Sequence, residues 1–169
     1  MRLLRFVFFI LLFIAGNCAF AFATNSLQEK ISPTEEKIVK LLEQANKLKY
    51  EDNKRGIKLI QEAEQLALKG NYEKKLGEVY TAYGSMHYVD GSYDVSMQMH
   101  LKALKIHEKY QNHFYITRSL NGIGLVQMGL NQYEECIATF EKCPALNLKH
   151  KNLGAAGRNY FNISVAQIE

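Results

Sequence analysis

From residue 34 onward, apolar positions recur at three-and-four spacing through nearly the whole chain, the signature of helices that each bury one face. Ile38, Leu41, Leu42, Ala45 and Leu48 mark a first helix, and Ile57, Ile60, Ala63, Leu66 and Ala67 a second. Leu76, Tyr80, Tyr83, Gly84 and His87 line one face of a third, and Tyr93, Met97, His100, Ala103 and Leu104 one face of a fourth. A fifth carries Leu120, Ile123 and Gly124, and a sixth carries Tyr133, Ile137 and Phe140. A last helix, from about Asn152, carries Tyr160, Ile163 and Ser164. No strand-like alternation of useful length interrupts the series, so the chain reads as all-α.

The boundaries have their own chemistry. Ser32 can cap the first helix, Pro33 suits its first position, and Glu35 can return a bond to the cap's N–H. Glu51-Asp52-Asn53 breaks that helix, and Gly70-Asn71 predicts a glycine stop for the second. Asp90-Gly91-Ser92 forms a tight turn, and a connector runs from Tyr110 to His113. Asn131, with Glu134 three residues on, predicts a cap for the sixth helix. Pro144 predicts that this helix bends or ends there, because an interior proline costs about 3 kcal/mol or a kink.

The same residue types return every 40 positions. Gly84 is followed by Gly124 and Ser164, and Tyr80 by Leu120 and Tyr160. Ser96 lies between Gly56 and Cys136, and Ala103 between Ala63 and Cys143. A period of this size means stacked repeats, here about three helix hairpins and one unpaired C-terminal helix. Small residues allow the two arms of a hairpin to approach closely, so Gly84 is expected opposite Ser96 and Gly124 opposite Cys136. Tyr80, Tyr93 and Phe140 are expected to fill the space between hairpins.

The first residues stand apart from this pattern. Arg2 and Arg5 precede an unbroken apolar run, Phe6 to Ala15, and Ala21-Phe22-Ala23 supplies small residues before a cut. The order matches an export signal. The run has 10 residues where a spanning helix needs about 20, which favours cleavage after Ala23 over an uncleaved anchor. Cys18 leaves lipid attachment as a third arrangement, although Asn17 stands where signals resembling those of bacterial lipoproteins carry a small residue. The organisation expected is an export signal at 1–23, a polar lead-in at 24–33 and a helical repeat domain at 34–169. That places the protein in the periplasm or cell envelope.

Without Arg2 and Arg5 the formal charge falls from +4 to +2. The Lys and Glu residues are mixed rather than gathered into the basic face of a nucleic-acid binder. Cys136 and Cys143, if on one helix, sit about 10 Å apart along it, too far to bond to each other. His100 and His107 share a helical face with His87 on the partner helix, but no acidic residue occupies a matching inward position. No metal site is expected, and no cofactor. No nucleophile elbow, phosphate loop or paired-carboxylate constellation occurs, so the visible chain does not read as an enzyme. Asn162-Ile163-Ser164 matches a glycosylation acceptor but falls inside a helix.

Gly91-Ser92-Tyr93 leading to Ser96, with Gly84 upstream and Ala103-Leu104 downstream, resembles a tetratricopeptide repeat. Leu120, Ile123, Gly124, Tyr133, Cys136, Phe140 and Cys143 repeat the pattern. The resemblance covers residues 34 to 169 and is to the long-repeat branch found in bacterial sensory and regulatory proteins. Pro144 departs from it, standing where the pattern has an aliphatic residue. It implies an α-solenoid whose concave face, built from the first helix of each pair, binds protein or peptide partners. The groove positions would be Glu78, Thr81, Ser85 and Tyr88, then Arg118, Asn121, Leu125 and Met128, then Arg158, Phe161 and Val165. Arg118 and Arg158 would suit a carboxylate or an extended peptide.

The last helix shows an apolar face (Tyr160, Ile163, Ala166, Ile168) with no polar cap after it, so the chain reads as the N-terminal piece of a longer protein. By the same resemblance, the expected role is the input region of a membrane-bound signalling protein such as a sensor histidine kinase. A diguanylate cyclase or a helix-turn-helix regulator could follow instead. The alternative is a free-standing periplasmic scaffold for envelope proteins.

Overall fold

Helices start at Pro33, Asn53, Glu73, Tyr93, His113, Tyr133 and Leu153 in the computed structural model, which describes residues 31–168. The helix-plus-turn unit is thus 20 residues, half the period read from the sequence. The segments are α1 Pro33–Leu48, α2 Asn53–Lys69, α3 Glu73–Val89, α4 Tyr93–Lys109, α5 His113–Gly129, α6 Tyr133–Phe140, α7 Lys142–Lys149 and α8 Leu153–Ala166. There is no strand among the described residues. α1 packs antiparallel on α2, α3 on α4, and α5 on the broken arm α6–α7, and α8, the last described helix, packs on both α6 and α7. This is an α-solenoid of the tetratricopeptide type. The export signal expected at 1–23, and the lead-in as far as residue 30, lie outside the described residues. No described helix is long and apolar enough to cross a membrane.

The turns explain the regular spacing. Asn71, Gly91, Gln111, Asn131 and Lys151, spaced 20 apart, all have positive φ, between 51° and 75°. Each is followed by a residue whose N–H bonds back five positions: Tyr72 to Ala67, Ser92 to His87, Asn112 to His107, Gln132 to Gln127 and Asn152 to Asn147, at 2.8–2.9 Å. This left-handed stop satisfies two carbonyls that the helix end leaves free. Two sequence expectations are corrected here. Asn71, rather than Gly70 (φ −91°), is the left-handed residue that ends α2. Asn131 does not cap α6: Gln132 precedes the helix without a side-chain bond, and Asn131 forms the turn before it.

Pro144 acts as expected, but one turn upstream. It cannot donate to the carbonyl of Phe140, and its ring crowds that group. The helix therefore stops at Phe140 and restarts at Lys142. Cys136 and Cys143 consequently sit on different helices, not one, and both are buried free thiols. Burial pushes the Cys143 thiol up to about 11, which keeps it protonated and unreactive.

The core lies between the layers. Ile38, Leu41, Ala45, Ile60, Ala63, Ala67, Val79 and Met86 form one buried cluster across α1, α2 and α3. Ile116, Leu120 and Cys143 form another, and Cys136, Phe140 and Ala166 a third. A single apolar face proves too narrow a description of α3, since Gly77, Val79, Thr81, Gly84 and Met86 are all buried. The helix is flanked by hairpins on both sides. The apolar face expected to lie open on α8 is divided. Ala166 is buried and Ile163 packs on the third cluster, whereas Tyr160, and Ile168 just past the helix, are exposed.

Candidate functional site

Two adjoining clefts run over the first helices of the hairpins, and both are lined by Lys49, Thr81, Ser85 and Arg118. The one toward α1, about 250 Å³, adds Val39, Leu42, Glu43, Asn46, Glu78 and Tyr115. The one toward α8, about 380 Å³, adds Tyr88, Asn121, Leu125, Arg158 and Asn159. Eight sequence-predicted positions thus line this surface: Glu78, Thr81, Ser85, Tyr88, Arg118, Asn121, Leu125 and Arg158. Met128, Phe161 and Val165 do not line either cleft. Met128 packs against the Cys136–Phe140–Ala166 cluster, Phe161 is exposed, and Val165 is half-buried.

Lining a cleft does not leave every group available to a ligand. Thr81 is buried, and its hydroxyl is engaged with the Gly77 carbonyl (3.0 Å) and His107 Nε2 (3.1 Å). Glu78 pairs with Lys75 at 2.9 Å and accepts from the Tyr115 hydroxyl at 3.1 Å. Burial and the adjacent Glu78 charge push that hydroxyl up to about 12. Arg118 is exposed and lies over the rings of Phe114 and Tyr115, at 5.7 and 5.6 Å, with no carboxylate in ion-pair range among the described residues. Arg158 and Lys49 likewise lack an acidic partner there.

Beside the cations lies a ladder of carboxamides. Asn147 Nδ2 donates to Asn159 Oδ1 at 2.8 Å, and Asn159 and Asn162 both donate to Asn121 Oδ1, at 3.3 and 3.2 Å. This fixes Asn121 by its oxygen and leaves its amino group free to donate toward the cleft. The Asn162 side chain is therefore engaged in packing, which argues against its use as a glycosylation acceptor.

Sequence reasoning restricted the groove to the first helices, and the structure adds residues from the second. Glycines open windows between them. A Cβ on Gly84 would lie 2.7 Å from the His100 ring, and one on Gly122 would lie 2.3 Å from it. A Cβ on Gly77 would meet His107 at 2.7 Å. His100, from α4, therefore reaches the floor of the cleft between α3 and α5, and Asn147 reaches it from α7. Gly84 was expected opposite Ser96, and Ser96 Oγ does bond the Gly84 carbonyl at 2.8 Å. The space a side chain would occupy is nonetheless filled by His100. At Gly124 it is filled by Phe140, one turn beyond Cys136. Lys49 was also missed: it lies just past the end of α1, and Val89 stands one period on, so the repeat gave no pointer to it.

A third cleft, about 520 Å³, sits near the helix ends and is lined by His107, His113 and His150 among others. His113 and His150 stack at 4.3 Å between centroids. No group of three or more His, Cys, Asp or Glu side chains arranged to hold a metal occurs among the described residues.

No family model matches the sequence, and no curated protein matches it. Among solved structures the chain superposes on aspartyl phosphate phosphatase F from Bacillus subtilis with a TM-score of 0.72 and 19% identity. The match covers 78% of this chain and 35% of that one, so the chain spans about a third of its structural neighbour. The likeness is one of fold, a helical repeat of the tetratricopeptide kind.

Proposed function

We propose that the repeat domain is a binding module rather than an enzyme, and that it captures a protein or peptide in the groove formed by α1, α3, α5 and α8. The observation that carries this reading is the unpaired state of Lys49, Arg118 and Arg158 around a carboxamide ladder. Concave faces of stacked repeats present side chains from successive units to one extended ligand, and arginine favours bidentate contact with carboxylates. The phosphatase activity in the neighbour's name is not carried over, given the low identity and the third of its length that is spanned.

The reading extends to context. The positive start, apolar run and small residues of the first 23 positions support export to the periplasm or envelope. An exported binding module of this kind fits the input region of a membrane-bound signalling protein, with a sensor histidine kinase as the preferred output.

Replacing Arg118 and Arg158 with Glu is expected to abolish partner capture from an envelope extract while leaving helicity unchanged. Unchanged pull-down profiles would remove the groove from consideration. Fusion of the first 30 residues to a reporter active only outside the cytoplasm tests export separately, and a silent reporter rejects it.

A further inference from the structure

The floor of the α8-side cleft holds a residue that packing alone does not explain. His100 is 1% exposed and occupies the repeat position of Ile60 and Phe140, both wholly buried. Its neighbours in the series are apolar, and its Nδ1 has no hydrogen-bond partner. An unpaired buried polar atom destabilises the fold, a cost that isoleucine or phenylalanine would not incur. The charged and titratable groups lining the cleft above the ring come from four parts of the chain. They are Lys49 just past α1, Tyr88 on α3, Arg118 on α5 and Arg158 on α8, and the charges of Lys49 and Arg118 act on the ring. None is a carboxylate. Burial first, then the charges of Lys49 and Arg118, hold the imidazole neutral by pushing it down to about 4.

We propose that this cleft receives a carboxylate of an acidic peptide between Lys49, Arg118 and Arg158, and that His100 takes up a proton from solvent as the peptide binds. The proposal rests on the peptide-binding reading and adds to it the ligand's charge and a dependence on pH. An anion seated among the cations offsets their repulsion of an imidazolium and supplies the counter-charge that the cleft lacks. By linkage the same coupling makes affinity rise as pH falls. Three cations without an acid among them also disfavour a basic ligand by like-charge contact.

The test uses a rhodamine-labelled hexaglutamate peptide, with hexaglutamine as the uncharged control, titrated with the full chain by fluorescence anisotropy at pH 7.5 and 5.5. Glutamate side chains titrate near 4.3, so the peptide stays largely ionised throughout. If the bound imidazole returns to its ordinary value near 6.5, affinity for hexaglutamate rises roughly tenfold between the two pH values. Calorimetry in two buffers of different ionisation enthalpy then shows about one proton taken up at pH 5.5. His100→Gln removes both effects. NMR titration of the His100 ring in the unaltered protein gives an independent readout, with its midpoint moving up when hexaglutamate is present.

Hexaglutamate binding that depends on Arg118, with no proton uptake and the same pH profile in His100→Gln, overturns the coupling and leaves peptide binding standing. Equal binding of hexaglutamine, or no hexaglutamate binding at all, overturns the acidic ligand class. The partner-capture experiment on the Arg118 and Arg158 variants then decides separately whether the groove binds peptides.

Discussion

Gly122 and Gly157 are both helical glycines, and the structure assigns opposite signs to their replacement by alanine. A Cβ on Gly122 would lie 2.3–2.6 Å from three atoms of the His100 imidazole. That ring is itself held on its other side, since a Cβ on Gly84 would meet it at 2.7 Å. The clash therefore cannot be relieved by swinging the ring away, and the α4–α5 spacing must open. Overpacking of this kind costs about 1–3 kcal/mol, and the gain in helix propensity returns about 1 kcal/mol. The difference is a loss of about 0–2 kcal/mol, and because both walls are backbone the upper half of that range, about 1–2 kcal/mol, is expected for Gly122→Ala. A Cβ on Gly157 meets nothing within 4 Å, so Gly157→Ala collects the propensity term alone and stabilises by about 0.5–1 kcal/mol.

Urea unfolding followed by far-UV circular dichroism reads both changes. The contrast between them cancels effects common to any glycine replacement in a helix. A third variant locates the cause: in the His100→Ala background the ring is absent, and Gly122→Ala is expected to become neutral or stabilising. The difference between the two backgrounds is a coupling energy, appropriate to residues in direct contact. A stabilising Gly122→Ala in the otherwise unaltered chain, or the same loss with and without His100, would refute the window account of the glycines.

Three further outcomes follow from the same packing. Gln111→Gly and Lys151→Gly are each expected to stabilise by about 0.5–1 kcal/mol, because both hold positive φ without a glycine, whereas Gly91→Ala at φ 75° is expected to destabilise; thermal melts compare all three. The unliganded chain should lose stability as pH falls from about 6.5 to 4, because the unfolded His100 takes up a proton near 6.5 and the folded one only near 4. The His100 share of that loss is about 3 kcal/mol, is complete below both values and is absent in His100→Gln. The loss remaining in that variant comes from His87 and His107, which burial also holds below the ordinary histidine value; denaturant midpoints of the two proteins across that window read the difference. Thr81→Val leaves His107 Nε2 without its buried partner and is expected to cost about 1–3 kcal/mol by urea unfolding.

How much of this was legible in the sequence depended on whether the physics was local. Helix faces and the 40-residue period could be read because residues three, four and 40 apart carry the same burial. The finer 20-residue period was hidden, since the left-handed turn position is filled by Asn, Gly, Gln, Asn and Lys in succession. Only the glycine and the asparagines advertise that conformation. At Gln111 and Lys151 the stop is imposed by the bonds that close the turn, from Asn112 to His107 and from Asn152 to Asn147, and residue identity gives little sign of it. The break before Pro144 was legible in kind, and it falls upstream because the lost bond belongs to Phe140.

The groove shows the limit more sharply. Counting along the first helices located Arg118 and Arg158, because a surface position repeats when the unit repeats. It could not locate His100, which lies on a second helix at a position where Ile60 and Phe140 are core residues. That position reaches the cleft only where the facing helices lack side chains, at Gly84 and Gly122. Of these two, Gly84 belongs to the repeated series, but Gly122 does not: one period away stand Ala82 and Asn162. The window is therefore made by one glycine shared with the fold and one peculiar to the third hairpin. A polar residue in an apolar series, facing a glycine outside the series, is the sequence trace of such a site. It becomes readable only once the fold shows which helices face each other.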